Sequence, residues 1–337
     1  QSDTFALLEQ QPDDTDLHQQ ASEALLDFSN HAGGVLVKRD LGGLRETEAG
    51  LRWHLALSPA WGLDLSSGRV NRTNDDPAGI GYTPDERYDQ ASLLWRRPDS
   101  ETRMSIAHRD SLTRYTPIVL QHLQRIDRRL SIDAALGHHQ STDESTAMRI
   151  AGMQNRAQLG LNYQISARDR LRLETRWSRF EAQTGTRLGD GHSWQVEAAH
   201  ALQLEPRDLE IGAFWSTHSY SRRQGFTDSR LARLLPDGLS FDTVGSDFFL
   251  PEDFRFYGIR LSTGMRFEES YTRAWQPYAN LARTWHSVQG PGYDLSAGLA
   301  GSVFGNDHLQ LGWKYSKSGA GTTCPVHEIG LTYRLHY

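Results

Sequence analysis

The chain from residue 34 onward is dominated by an alternation of apolar and polar residues with a period of two. Successive side chains of a β-strand point to opposite faces, so this pattern predicts strands with one apolar and one polar face. The last residues, 327–337, show it without a break, and segments beginning near Leu51, Leu130, Leu171, Leu209 and Leu309 repeat it. We therefore predict an all-β chain in which one face of nearly every strand is apolar.

The alternation predicts about sixteen strands, an even number within the range of bacterial membrane barrels. A soluble sandwich also alternates, so the strand number and the connections must separate the two classes of fold. The predicted strands are 35–41, 49–58, 61–71, 88–97, 101–110, 116–124, 129–140, 147–165, 170–182, 192–203, 208–220, 254–266, 275–288, 292–304, 307–318 and 326–337.

The connections between these strands alternate as well. Every second connection is tight, as at Gly305-Asn306 and Pro98-Asp99-Ser100, apart from a longer one around 268–273. The intervening set includes the longest segments, 72–87, 183–191 and 221–253. Short turns on one rim and long loops on the other are typical of an outer-membrane β-barrel. This interpretation puts both ends of the barrel, 34–337, on the short-turn rim, facing the periplasm.

Residues 1–33 follow a different period. After Pro12, apolar residues recur at intervals of three and four through Phe28, which predicts an amphipathic helix that ends before Gly33-Gly34. A second helical segment precedes it at Phe5–Leu8. The pair resembles the last unit of a tetratricopeptide array, with a lone helical hairpin as the alternative. We predict a periplasmic helical segment over 1–33.

The composition excludes several classes of protein. The 337 residues carry a formal net charge of −6 with mixed signs and no basic stripe, so a nucleic-acid partner is not expected. No run of about 20 apolar residues occurs, which excludes a transmembrane helix but not a barrel. Cys324 is the single cysteine and is interpreted as an incidental loop thiol. No signal peptide opens the chain, so an exported protein would be represented here by a fragment or a mature form.

The polar faces carry many charges, which a dry core could hold only in well-matched pairs. A water-filled lumen accepts them readily. One interpretation is that these charges pair across strands and stiffen the wall; the other is that they form a polar track for a hydrophilic polymer. The inward residues proposed to contact a polymer are Arg52, Arg103, Arg109, Asp133, Arg172, Glu174, Arg176, Glu197, Glu210, Arg260, Lys314, Glu328 and Arg334.

The segment 221–253 is long for a plain connection and contains many leucines and phenylalanines. We expect it to fold inward as a constriction or plug; a lid across the outside, or contact with a partner, is the alternative. Together with acids in 75–86 it makes the outer mouth acidic, which would attract cations or a partly cationic glycan. The acidic residues predicted for the plug and mouth are Asp228, Asp237, Asp242, Asp247, Glu252 and Asp253.

Motifs for catalysis or cofactor binding do not emerge, so we expect no enzyme activity and no cofactor. His138-His139 is not expected to bind one metal ion, because neighbours on a regular strand face opposite ways. His192, Ser193 and Asp190 lie close in sequence without forming a catalytic motif. A rim hydrolase would need such groups to converge.

The helix pair at 5–28, the strand series from residue 35 and the ending 328–337 resemble the exopolysaccharide exporters of the bacterial outer membrane. This family includes exporters of cellulose, poly-N-acetylglucosamine and Pel polysaccharide, and the C-terminal porin domain of the Pel exporters is the most similar. The resemblance covers essentially the whole chain. It implies passive export of a hydrophilic, partly cationic biofilm glycan from a Gram-negative cell.

The resemblance also implies partners: a periplasmic tetratricopeptide scaffold, a polysaccharide-modifying enzyme and an outer-membrane lipoprotein. Outer-membrane lipid would surround a monomeric barrel. The sequence therefore predicts an outer-membrane porin for exopolysaccharide export. A general diffusion porin, an outer-membrane barrel hydrolase and a sealed adhesin anchor are the alternatives.

Overall fold

The computed structural model describes residues 28–75, 79–204, 208–223, 228–236, 238–317 and 325–337, with the Thr243 side chain excepted. The predictions made for residues 1–27, for Asp237 and for Cys324 lie outside these residues. The strands are β1 (His31–Asp40), β2 (Leu44–Ser58), β3 (Trp61–Asn74), β4 (Glu86–Arg97), β5 (Ser100–Asp110), β6 (Arg114–Tyr115 and Ile118–Arg125), β7 (Leu130–Gln140), β8 (Gly152–Gln164), β9 (Asp169–Ala182), β10 (Arg187–Gln203), β11 (Leu209–Arg222), β12 (Phe254–Thr263), β13 (Gln276–His286), β14 (Gly290–Gly301), β15 (Asp307–Lys317) and β16 (Val326–His336).

Among the described residues after Phe28, helical structure lies in the connections between strands. The short helices are α1 (Thr146–Ala151), α2 (Ser229–Ala232) and α3 (Phe241–Val244), with 3₁₀ turns at Gly245–Phe248 and Met265–Glu268. Within the described part of the chain, no helix has the length and apolar character needed to cross a bilayer.

The sheet closes on itself. Both pieces of β6 pair with β5, so they form one strand interrupted at Thr116-Pro117, and the described chain then contributes sixteen strands. Each strand pairs antiparallel with its neighbours in sequence, and β1 pairs with β16 in the register Val35↔Thr332. The result is a closed antiparallel barrel of sixteen strands, as predicted. Closure satisfies the backbone groups that an open sheet would leave at its edges.

The outer face of the barrel is apolar. Leucine, isoleucine and tryptophan side chains stand exposed along the outward register of successive strands: Leu311 is 51 % exposed, Ile329 56 % and Leu281 53 %. A water-soluble protein rarely exposes apolar surface continuously around its circumference, whereas a bilayer covers such a surface. The apolar faces predicted from the sequence therefore form the lipid-facing surface.

A charge placed on this face should destabilise the barrel. Leu281 lies at the middle of β13, and its neighbour Asn280 faces the lumen. We expect Leu281→Arg to lower the free energy of unfolding in lipid by about 2–4 kcal/mol, the usual effect of arginine at the bilayer midplane. Urea unfolding in lipid vesicles measures it. Asn280→Arg is the matched control and should change little; equal losses in both variants would contradict the assignment of the two faces.

The two rims differ in their connections. One rim carries the tight turns 59–60, 98–99, 126–129 and 165–168, together with the longer connection 264–275. Both ends of the barrel lie on this rim, where the Tyr337 amide donates to the Asn30 carbonyl at 3.1 Å. The opposite rim carries the long connections 75–85, 141–151 and 223–253. We call these the short-turn rim and the long-loop rim.

The structure corrects the sequence prediction at the start of β8. A strand was predicted over 147–165, but Thr146–Ala151 is helix α1 and the strand begins at Gly152. The Ser145 hydroxyl accepts from the Met148 amide and caps the helix. Met148 and Ile150 are fully buried. The apolar run was taken for a strand because it is too short to show a helical period.

Two other observed boundaries also differ from those predicted from the sequence. The connection predicted at 183–191 is only the turn 183–186, because β10 begins at Arg187. Strand β1 begins at His31, where Gly33 lies so close to the Tyr333 carbonyl that a Cβ would come within 1.9 Å of its oxygen. Hydrogen bonding to β16 thus extends β1 over residues assigned from the sequence to the helical segment.

Candidate functional site

The lumen is the concave surface on which the predicted polar residues meet. The alternation that places leucines outside turns their neighbours inward, and ion pairs between strands link the inward residues. A cavity of about 780 Å³ within it is lined by Arg52, Arg103 and Arg109, among others. All thirteen residues predicted to contact a polymer lie in the inward register: Arg52, Arg103, Arg109, Asp133, Arg172, Glu174, Arg176, Glu197, Glu210, Arg260, Lys314, Glu328 and Arg334.

A buried charge network lies on the wall formed by β1 to β5. The Arg72 guanidinium donates to Glu46 at 2.9 Å and to Glu86 at 2.7 Å, and the side chains of Arg72 and Glu46 are 3 % and 1 % exposed. Arg109 also pairs with Glu86. Arg149, which belongs to α1, donates to the second oxygen of Glu46 at 2.9 Å. The network therefore ties a loop to the wall.

Sequence reasoning missed most of this network. Glu46 and Arg72 lie beyond the predicted strands 49–58 and 61–71, and the observed strands β2 and β3 include both residues. Glu86 was assigned to the acidic outer mouth but is buried on the wall. The signal that could have located them is the continued alternation of Glu46, Glu48 and Arg72 with their outward neighbours.

A second network lies on the opposite wall, nearer the short-turn rim. Glu174 pairs with Arg172 at 2.9 Å and with Arg176 at 3.1 Å. Arg172 also approaches Asp133 at 3.4 Å. A neighbouring group contains Arg260, which pairs with Glu197 at 2.6 Å and with Glu210 at 3.3 Å. These carboxylates neutralise most of the positive charge that the arginines bring into the lumen.

Three of the predicted residues pair less completely. Lys314 stands 3.7 Å from Glu268 and 3.9 Å from Glu328, and its side chain is 52 % exposed. Arg334 donates to the Glu269 carbonyl, which belongs to the long connection of the short-turn rim. Arg52 lines the cavity and has no carboxylate within 4 Å among the residues that the structure describes. These cations are the most available to an incoming ligand.

An apolar cluster crosses the barrel at the long-loop rim. It joins Leu41 and Leu44 on one wall to Phe180 and Leu188 on the other, and β1 and β9 lie on opposite sides of the ring. Side chains from the connections fill the space between the walls. The connection residues in the cluster are Ile80, Ala147, Met148, Ile150, Ala151, Leu231, Leu234, Leu235, Phe241, Phe249 and Leu250.

Hydrogen bonds hold the connections of this cluster to each other and to the wall. The Ser145 hydroxyl donates to the Phe249 carbonyl at 2.6 Å, joining two loops. The Tyr220 hydroxyl on β11 donates to Glu144 at 2.6 Å. We call residues 141–151 and 228–250 together the rim cluster.

The Glu144 contact should depend on pH. Burial raises the pKa of the Glu144 carboxyl above its ordinary value, outweighing the hydrogen bond from Tyr220. A carboxyl with a raised pKa stabilises the docked loop while protonated, and this contribution is lost as pH rises through the raised pKa. We expect the protection of the amides of residues 142–151 against hydrogen exchange, relative to the intrinsic exchange rate at each pH, to fall across that interval. In Glu144→Gln the pH dependence should vanish; its persistence would assign the effect to another group.

The acidic residues predicted for the mouth have separate roles. Asp228 caps α2 and accepts from the Thr186 hydroxyl at 2.7 Å, and Asp247 pairs with Arg222 at 3.1 Å. Asp253 accepts from the Tyr220 amide. Asp242 and Glu252 are exposed. Asp247 and Asp253 are exposed as well, so four of the five described acids face solvent and only Asp228 is partly covered.

The structure also locates the residues considered for chemistry. His138 and His139 were expected to face opposite ways, but a bulge after Gly137 stacks their rings at 3.7 Å. Among the described residues, no cluster of three ligands suitable for a metal ion occurs. His192 stacks on Trp177 on the outer face. Ser193, the next residue along the strand, faces inward, so these two do not converge.

Aromatic side chains ring the outer face near both ends. Trp61 stacks on Trp95 near the short-turn rim, with ring centroids 5.8 Å apart. Tyr257 stacks on Trp285 near the long-loop rim at 5.7 Å. Amphipathic rings favour the level of the lipid headgroups, so the two girdles mark the edges of an apolar band.

The chain matches one protein family in sequence and several solved barrels in fold. The family model described as PelB, C-terminal beta barrel domain, matches residues 26–336. Among solved structures, a bacterial polysaccharide outer membrane secretin has a TM-score of 0.67 at 11 % identity, covering 92 % of this chain and 99 % of that one.

Two further barrels are more distant in shape. OccK11 (OpdR) of Pseudomonas aeruginosa has a TM-score of 0.46 at 13 % identity, covering 91 % of this chain and 96 % of that one. CdiB of Acinetobacter baumannii has a TM-score of 0.49 at 11 % identity, covering 92 % and 60 %. None of the curated proteins matches the chain. The match over residues 26–336 establishes that this outer-membrane β-barrel belongs to the family of PelB C-terminal barrel domains.

Proposed function

We propose that this barrel exports a hydrophilic polysaccharide across the outer membrane, from the short-turn rim to the long-loop rim. The observation that carries the proposal is a closed sixteen-strand wall with an apolar exterior and a lumen of paired charges. Barrels of this size can enclose an aqueous channel. The family match and the likeness in shape to a polysaccharide secretin support the same class of cargo.

Paired charges suit a sliding polymer. A sugar hydroxyl can donate to a carboxylate or accept from a guanidinium, and each group in the networks keeps its partner when the polymer moves on. Pairs such as Arg260–Glu197 therefore offer many hydrogen bonds of similar strength and no single deep binding site. Movement along the lumen then needs no energy source within the barrel, so export through this domain is passive.

The cargo we propose is partly cationic. The lumen arginines would repel such a chain if their charges were free, but Glu46, Glu86, Glu174, Glu197 and Glu210 neutralise them. The exposed acids of the long-loop rim then give the exit a negative field. A neutral glycan would also fit this lumen, so the charge of the cargo is the part that needs its own measurement.

The rim cluster fits a resting, closed state. Its side chains meet across the lumen, and a polymer leaving the channel must displace them. In the cell, the segment 1–33 would continue into a periplasmic tetratricopeptide scaffold. A modifying enzyme and an outer-membrane lipoprotein would act beside a monomeric barrel embedded in outer-membrane lipid.

The proposal is tested by block of ion conductance in planar bilayers. Hexamers of glucosamine, N-acetylglucosamine and galacturonic acid provide cationic, neutral and anionic probes of similar length. We expect the glucosamine hexamer, added at the short-turn rim, to block longest and the galacturonic acid hexamer least. Measurements on the unchanged chain and on the variant lacking 228–250 cover both states of the rim.

The same measurement separates the alternatives. A general diffusion porin would pass all three hexamers with brief, similar blocks. A rim hydrolase would shorten the oligosaccharides, which mass spectrometry of the two chambers detects. Equal block by the three probes would overturn the cationic cargo, and no block by any of them would overturn polysaccharide export.

A further inference from the structure

A ladder of aromatic rings runs along the lumen wall on β11, β12 and β13. Phe214 and Phe256 form its lower end, nearer the middle of the barrel, with ring centroids 5.4 Å apart. Phe256 lies 6.1 Å from His286, and Phe254 stacks on His286 at 4.4 Å. The ladder continues through His218, stacked on Phe254 at 4.3 Å, and through Tyr220 to Phe180.

All of these rings belong to the inward register. Phe214, His218 and Tyr220 alternate on β11 with the outward residues Trp215 and Thr217. From Phe214 to Tyr220 is six residues, or roughly 20 Å along the strand. A water-filled lumen does not require aromatic rings in one continuous line, because polar side chains could line the wall equally well.

Wall packing accounts for some aromatic residues of the lumen but not for the lower end of this ladder. Tyr278 shows the packing role: its ring covers Gly298, its hydroxyl lies beside Gly312, and it is only 2 % exposed. The Phe214 ring also lies against a glycine, Gly258, where a Cβ would come within 2.8 Å of it. Phe214 and Phe256 nevertheless stay partly exposed to the lumen.

Polar groups without partners lie beside the ladder. The His286 ring accepts at Nδ1 from the amides of Val288 and Gln289, so its proton lies on Nε2. That Nε2 and the Thr284 hydroxyl lack a hydrogen-bond partner within the described part of the chain, although the two residues are 4 % and 2 % exposed. Buried polar groups in this state are uncommon, and a water molecule can supply the hydrogen bonds that the protein does not.

The rim cluster covers the upper end of the ladder. Phe180 belongs to the apolar cluster that the rim cluster completes, and Tyr220 packs against it, while the Tyr220 hydroxyl donates to Glu144. Leu250 lies over Gly189, beside Phe180 on the same wall. In the closed state, therefore, loop side chains occupy the surface that continues the exposed rings of Phe214 and Phe256.

We propose that this ladder is a stacking track for pyranose rings, and that the rim cluster and the polysaccharide compete for its upper end. The inference rests on the proposed export function. One face of a pyranose presents C–H groups, which carry partial positive charge and are attracted to the negative face of an aromatic ring. Stacking recurs at every sugar and guides the chain along one wall.

Calorimetric titration of the purified, detergent-solubilised barrel with the hexamer of N-acetylglucosamine tests the track. The lower end is open in the closed state, so binding needs no prior opening. We expect the double variant Phe214→Leu, Phe256→Leu to lower the affinity about tenfold, or about 1.4 kcal/mol, because it removes both stacking faces of the exposed lower end. Tyr278→Leu removes a lumen ring outside the ladder and should leave the affinity unchanged.

A second pair of variants guards against misfolding. Phe214→Tyr and Phe256→Tyr keep both rings and should retain the affinity, even if the leucine variants assemble poorly. Unchanged affinity without the rings, or no measurable binding to the unchanged chain, would overturn the track. The proposal of export is tested separately: it would be wrong if cells lacking the barrel still released their polysaccharide. If the stacking track were overturned while export stayed intact, the polymer would be guided by the charged networks alone.

Discussion

Replacing residues 228–250 by a short Gly-Ser linker is expected to raise the single-channel conductance several-fold. Leu231, Leu234, Phe249 and Leu250 supply much of the apolar cluster that spans the lumen. Conductance is limited by the narrowest section of a channel, and a barrel of this size is wide once its lumen is cleared. Planar-bilayer recording measures the change directly.

The matched control changes the charge of the same loop without touching the cluster. Asp242 and Glu252 are exposed, so Asp242→Ser with Glu252→Ser alters the field at the exit but leaves the apolar contacts in place. We expect ion selectivity to shift and conductance to stay near its original value. A deletion variant that conducted no better than this control would mean that the loop does not form the constriction.

The second large effect is expected from Arg72→Met. Arg72 bridges Glu46 and Glu86, and all three side chains are at most 5 % exposed. Removing one partner of a buried ion pair typically destabilises a protein by about 3–5 kcal/mol. We expect a loss toward the lower end of this range, because Glu46 keeps Arg149 and Glu86 keeps Arg109. Urea unfolding in lipid vesicles should show this loss. The conductance should stay near its original value, because Arg149 of α1 keeps its direct contact with Glu46.

The same strand supplies a control for this variant. Arg69 pairs with Asp85 at 2.6 Å on the outer surface, with both side chains more than 40 % exposed. Arg69→Met should change stability by less than about 1 kcal/mol, as is usual for exposed pairs. Similar losses for Arg69→Met and Arg72→Met would contradict the role given to burial.

The site could be predicted from the sequence only where a single strand contains the information. Alternation alone assigned Arg172, Glu174 and Arg176 to one face of β9, and the structure places them in one network. It could not indicate that Arg172 also meets Asp133, since that contact depends on the register between strands. The polymer contacts assigned to these residues stay a prediction, because contact with a cargo is not a property of the wall alone.

The rim cluster illustrates the opposite case. Met148 and Ile150 were read as part of a strand, because a short apolar run satisfies either period. Their helix exists because the lumen offers an apolar surface from Leu41, Phe180 and Leu250 on which it can be buried. Local sequence cannot contain that surface, since its residues come from strands far apart in the chain.

The sequence by itself determined the number of strands, the face that each strand turns to lipid, and the rim on which the turns are short. These features follow from the period of two and from turn residues, which act over a few neighbouring positions. The tertiary structure decided which charges pair, which loops fill the lumen, and that Phe214, Phe256, Phe254 and Tyr220 lie in one line. Those contacts join distant residues, and only closing the ring of strands brings them together.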